Sequence, residues 1–114
     1  MITIEVKPCE EVVETATKVI QKRGIISGSL TLIGGVDSCC ISNMDKADAT
    51  KDILTEYNEP LEMTAVGEII DGKPHIHATF GREDNSALFG HLHWAKVKTW
   101  FVHVYITPLA NSKQ

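Results

Sequence analysis

Four of the chain's five histidines fall within residues 72–94, as the pairs His75/His77 and His91/His93 on either side of a polar, turn-like segment at 81–86. Residues two apart on a strand share a face and stand roughly 6.5–7 Å apart along it, so each His-x-His pair is one-sided if its segment is extended. Folding the stretch as an antiparallel hairpin centred on Asp84 sets His77 opposite His91 and His75 opposite His93. All four imidazoles then share one face. The other face carries Ile76, Ala78, Phe80, Leu88, Leu92 and Trp94, an apolar set suited to a core. A bulge would shift this register by one residue.

The rest of the chain must supply the other side of that core. At 114 residues and 43% hydrophobic content it builds one domain, read as residues 1–110, with 111–114 as a frayed tail. Ile2, Ile4 and Val6 alternate with Thr3 and Glu5 as a half-buried strand. From 10 to 23, Val12, Val13, Ala16, Val19 and Ile20 recur at helical spacing. Acidic residues open that segment, and Lys22, Arg23 and Gly24 close it, which matches the helix dipole and a C-terminal cap. Residues 25–33 read as β, broken by Gly34-Gly35 and resumed over 36–41. The polar stretch 43–51 reads as a loop or hairpin connection, and 53–58 is ambiguous. After Pro60 a β-rich run over 61–70 meets Asp71-Gly72, a hairpin turn dipeptide. A last strand over 97–107 alternates Trp100, Val102, Val104 and Ile106 with Phe101, His103 and Tyr105. The expected class is α+β: a mostly antiparallel sheet of about six or seven strands with one main amphipathic helix packed on it.

Several functions are disfavoured. The net charge is −4 and the eleven basic residues are scattered, so direct nucleic-acid binding is not expected. Gly34-Gly35 is not followed by the glycines or the Lys-Ser/Thr of a nucleotide loop. No window approaches the ~20 apolar residues of a membrane span, and the start lacks the pattern of a signal peptide, so no membrane association and a cytoplasmic location are expected. Cys9, Cys39 and Cys40 form neither a Cys-x-x-Cys metal spacing nor an even disulfide set, and read as reduced, inert thiols.

Three imidazoles with a fourth position left open are a recurring zinc arrangement, in which bound water ionises near neutral pH. A His-x-His strand pair joined by a third histidine from the neighbouring strand can meet that geometry. Its alternative is an exposed histidine face, or histidines hydrogen-bonded at a subunit contact. His93 is open to four roles: additional ligand, outer partner, proton shuttle or plain surface residue. His103, alone on the last strand, reads as a satisfied structural histidine. A cupin is a further source of His-x-His, but there three or four residues separate the second His from the Glu, whereas five separate His77 from Glu83.

The chain resembles the plant and prokaryote conserved (PPC) domain, found after AT-hook motifs in plant nuclear proteins and alone in bacteria and archaea. The resemblance runs over nearly the whole length, through Lys22-Arg23-Gly24-Ile25-Ile26-Ser27-Gly28, the Ile33-Gly34-Gly35-Val36 turn and the pattern from Tyr57 to Gly67. Its specific parts are Asp71-Gly72-Lys73-Pro74-His75-Ile76-His77 and Gly90-His91-Leu92. It implies an α+β fold, a homotrimer, and in bacterial members a metal held by the histidines that correspond to His75, His77 and His91. Departures are Cys9 where the family usually has Gly, Phe89 where a second Gly is common, and His103 where many members have Glu. No Arg-Gly-Arg hook is present, so the DNA binding of plant members does not carry over.

The leading expectation is a small trimeric metal protein, with zinc as the divalent ion and a small-molecule ligand able to reach the site. One rival is a zinc-dependent hydrolase or lyase, by likeness to acetolactate decarboxylase and a zinc ester hydrolase, with Glu68, Glu62 or His93 as proton carrier. The other is a regulatory or scaffold protein acting through protein partners.

Overall fold

A computed structural model describes residues 1–109, so the tail read at 111–114 lies outside the described residues. The alternation at the start forms β1 (Ile2–Val6), and the first helical pattern forms α1 (Val12–Lys22). Glu11 caps that helix: its carboxylate accepts from the Val13 and Glu14 N–H groups, each at 2.8 Å, satisfying donors that a helix start leaves orphaned. The same carboxylate accepts from the Ala95 N–H at 2.8 Å, which fixes the helix start to the sheet.

Then come β2 (Gly28–Val36), β3 (Ser38–Asp45), β4 (Asp48–Tyr57), β5 (Leu61–Ile70), β6 (Lys73–Gly81), β7 (Ala87–Lys96) and β8 (Val102–Pro108). All eight join one antiparallel sheet in the order β1-β8-β2-β5-β6-β7-β3-β4. The α+β class is as expected, with one strand more than the six or seven anticipated. The extra strand comes from 43–58, read as a connection followed by an ambiguous segment. Those residues are polar because β4 is an edge strand exposed along most of its length, so no buried face imposes an alternating pattern.

Gly34-Gly35 does not break a strand either. A Cβ on Gly34 would lie 2.0 Å from the Phe101 carbonyl oxygen, so glycine there marks a close approach of β2 to the chain entering β8. The two-residue turn at Asp71-Gly72 is as read, with φ of 51° and 76°, the signature of a type I′ hairpin.

One face of the sheet is dry. Leu30, Leu32, Met63, Ile69, Ile76, Ala78, Phe80, Leu92, Val102, Val104 and Ile106 are buried on it together with Val12, Ala16 and Ile20 of α1. The helix lies across β6, β7 and β1. Among the described residues the opposite face has no layer over it, in keeping with a slab 19 Å through its short axis. On that open side stand Ile33, Val66, Ile70, Phe89 and Phe101, each exposed, and every histidine of the central hairpin. The last strand, read over 97–107, begins only at Val102, so Trp100, placed on the side of Val102, Val104 and Ile106, precedes it and is 67% exposed. Among the described residues no helix is long and apolar enough to cross a membrane.

Candidate metal centre

His75 and His77 project from β6 and His91 from β7, with Ile76 and Ala78 between and beside them buried in the core. This alternation anchors the strand from below while its histidines face out. The ladder pairs His77 with His91, as the sequence anticipates. It goes no further toward His93. Ring centroids are 5.0 Å apart for His75–His77, 5.1 Å for His75–His91 and 5.9 Å for His77–His91. One nitrogen from each of the three imidazoles lies within 4.8 Å of the others.

Tetrahedral zinc with Zn–N bonds of 2.0–2.1 Å needs its nitrogens about 3.3 Å apart, so the exposed side chains of His75 and His77 would have to rotate to close the remaining gap. The donor set therefore fits a divalent ion. Neutral imidazole is the form that ligates, and His91 is biased toward it. Burial holds its pKa below the ordinary value, and the neighbouring His93, His75 and His77 push the same way against the opposing charge of Asp52.

Around the three stand groups of different standing. Glu68, directly across the ladder from His75, brings a carboxylate oxygen 3.9 Å from His75 Nδ1, too long for a hydrogen bond and close enough to favour one ring orientation. Phe89 meets His77 edge-on at 5.8 Å. His93 stands 4.9 Å from His91 yet is not one of the three convergent imidazoles; its Nε2 lies 2.8 Å from the Ser42 hydroxyl. Glu62 is six residues along β5 from Glu68, about 20 Å at strand rise, and faces Trp100, Phe101 and His103 instead. His103 also stays apart, 3.3 Å from Glu5 and stacked on Phe101 at 4.5 Å.

Two neighbours escaped the sequence reading. Ser42 and Asp52 come from the β3–β4 hairpin, and a contact such as Ser42–His93 spans 51 residues, which no local spacing reveals.

The thiols offer no competing centre. Burial, then Cys40 and Glu59, pushes Cys39 up to about 11, and burial followed by Glu56 also raises Cys40. Beside the histidines the surface is a shallow depression of about 260 Å³ lined by Val66, Gly67, Glu68, His75 and His77. A larger cleft of about 660 Å³ lies between the start of α1 and the end of β7, but it gathers mixed charges and no convergent ligand set.

The sequence signature of the Plants and Prokaryotes Conserved (PCC) domain matches residues 1–110. No curated protein matches the sequence. Among solved structures, a metal-containing protein of Archaeoglobus fulgidus is similar at 26% identity and TM-score 0.85, over 98% of this chain and 81% of that one. A plant- and prokaryote-conserved protein of Pyrococcus horikoshii superimposes with TM-score 0.81 at 19% identity, covering 97% and 80% of the two chains. The fold also resembles α-acetolactate decarboxylase of Bacillus subtilis, with TM-score 0.62 and 16% identity over 95% of this chain and 52% of that one.

Proposed function

Given that the chain belongs to the Plants and Prokaryotes Conserved domain family, we propose that it is a small divalent-metal protein, a homotrimer whose His75, His77 and His91 hold one zinc ion per chain. The observation that carries this reading is the convergence of three imidazole nitrogens within 4.8 Å on one face of the sheet. The similar archaeal protein described as metal-containing supports it. Imidazole suits zinc among the divalent ions, whereas magnesium and calcium sites are built from oxygen donors. When bound, zinc would supply a Lewis acid at the surface of the sheet. The chain's own part is to present three neutral imidazoles, with Phe89 packed against His77 and Glu68 beside His75.

The trimer rests on the uncovered face. Val66 is 64% exposed and Phe89 54%, and Ile33, Ile70 and Phe101 extend that apolar surface across the sheet. Apolar surface of this kind marks an interface, and its burial by neighbouring copies would wall each histidine site into a cleft open to a small ligand. Three-fold closure is what the family resemblance implies. Likeness to the decarboxylase concerns fold alone, so a hydrolase or lyase activity is not carried by it. With basic residues scattered, no nucleic-acid partner belongs to this reading.

Zinc titrated calorimetrically into the metal-free chain should saturate at one ion per chain, and light scattering should give three times the chain mass at micromolar concentration. Saturation near zero would defeat the metal assignment. A one-chain mass would defeat the trimer.

A further inference from the structure

The β3–β7 ladder holds an irregularity at the histidine site. Cys40 pairs with Trp94, but the next residue of β3, Ile41, pairs with Leu92, which leaves His93 as one extra residue on β7 without a cross-strand partner. Ser42 then pairs with His91. A β-bulge re-aims the side chain it carries, and bulges gather beside functional sites. Here the re-aimed group is His93, and its Nε2 meets the Ser42 hydroxyl at 2.8 Å.

Ser42 is the only buried polar residue among the described residues, at 2% exposure. A buried hydroxyl left without a partner bears the full cost of its desolvation, so this bond is a strongly held one. The strands also approach closely at this point, as they do at Gly28, Gly34 and Gly67. A Cβ on Gly90 would lie 2.8 Å from the Ser42 carbonyl oxygen and 3.0 Å from Asn43 Nδ2, whose amide donates to the Phe89 carbonyl at 2.7 Å. Gly90 thus lets β3 press against β7 one residue before His91.

We propose that Ser42 and His93 form a positioning pair for the metal centre. The serine holds Nε2 of His93 to the protein rather than to the metal, and the fixed His93 ring braces His91 edge-on at 4.9 Å. His93 is then not a fourth ligand through Nε2, and the three-imidazole set keeps a position for an exchangeable small anion or water. Partners that fix a ligating histidine are worth about 10–100-fold in metal affinity. This rests on the metal reading above.

The test uses the full chain, cobalt(II) as a visible probe of the site, azide as the exchangeable anion, and zinc affinity from chelator competition. Wild type should bind one cobalt and change its visible spectrum when azide is added. Ser42→Ala should weaken zinc about 10–100-fold, with Ser42→Cys recovering part of the loss. His93→Gln, which removes the bracing ring but no ligand, should weaken zinc to about the same degree as Ser42→Ala yet still reach one zinc per chain at saturating metal and keep the azide response, while His77→Ala should lose zinc. A spectrum indifferent to azide, together with His93→Gln losing zinc as fully as His77→Ala, would make His93 a ligand and overturn the pair. Unchanged zinc affinity in Ser42→Ala would overturn it as well. A wild type that takes neither metal defeats the earlier reading instead, and nitrogen NMR of the metal-free imidazoles then decides on the pair alone. One fixed His93 ring state, lost in Ser42→Ala, supports it; averaging in wild type contradicts it.

Discussion

Cys9 holds the backbone at φ 74°, in the left-handed region, where an L side chain costs about 1–2 kcal/mol. Its N–H donates to the Val97 carbonyl at 2.9 Å, so the surrounding chain keeps it there. The PPC resemblance usually has glycine at this position, and the dihedral supplies the physical reason. Cys9→Gly should therefore stabilise the fold by about 0.5–1 kcal/mol, the relief of strain less the extra entropy glycine loses on folding. Urea denaturation reads this as a higher midpoint; a lower one would show that the exposed thiol makes a contact worth more than the strain. At the same scale, the convergence of His75, His77 and His91 was legible because a two-residue period and a turn are local signals, and β6 and β7 obey them. His93 was not. Its role depends on a bulge whose cause lies in β3, and nothing between residues 72 and 94 encodes it.

Among the elements, one carboxylate gathers three hydrogen bonds from the segment between β7 and β8. Asp37, in the turn from β2 to β3, accepts from the Lys98 N–H at 2.7 Å, the Thr99 N–H at 3.0 Å and the Thr99 hydroxyl at 2.7 Å. Burial pushes its pKa up, but the bonds from Thr99 and Lys98 and the Lys98 charge outweigh this and hold it below the ordinary 3.8. A folded value below the unfolded one contributes stability that is present above the unfolded pKa and lost as pH falls through the folded one. Asp37→Ala should cost about 1–3 kcal/mol near neutral pH, and its deficit relative to wild type should narrow as pH drops below about 4. Denaturant melts at a series of pH values test this, and a deficit that stays constant into acid would contradict it. Helix α1 and the hairpin β5–β6 could be read from sequence because caps, turn dipeptides and one-sided burial are written locally. The β3–β4 hairpin could not, since β4 is exposed nearly throughout and its pairing with β3 is supported by backbone bonds more than by pattern.

For the whole molecule, the sheet divides the work: one face, under α1, makes the core, and the other presents histidines beside apolar side chains with no layer of the described residues above them. Stability and function are thereby separated across a single sheet, so removing one exposed imidazole should leave the fold intact. The direct measurement is metal content by emission spectroscopy after zinc loading, on wild type and on His75→Ala, His77→Ala and His91→Ala. Wild type should carry about one zinc per chain near neutral pH and release it below about pH 6, where protons compete for imidazole. Each variant should be depleted while still folded. Wild-type zinc content in all three variants would contradict the assignment of the centre to these histidines.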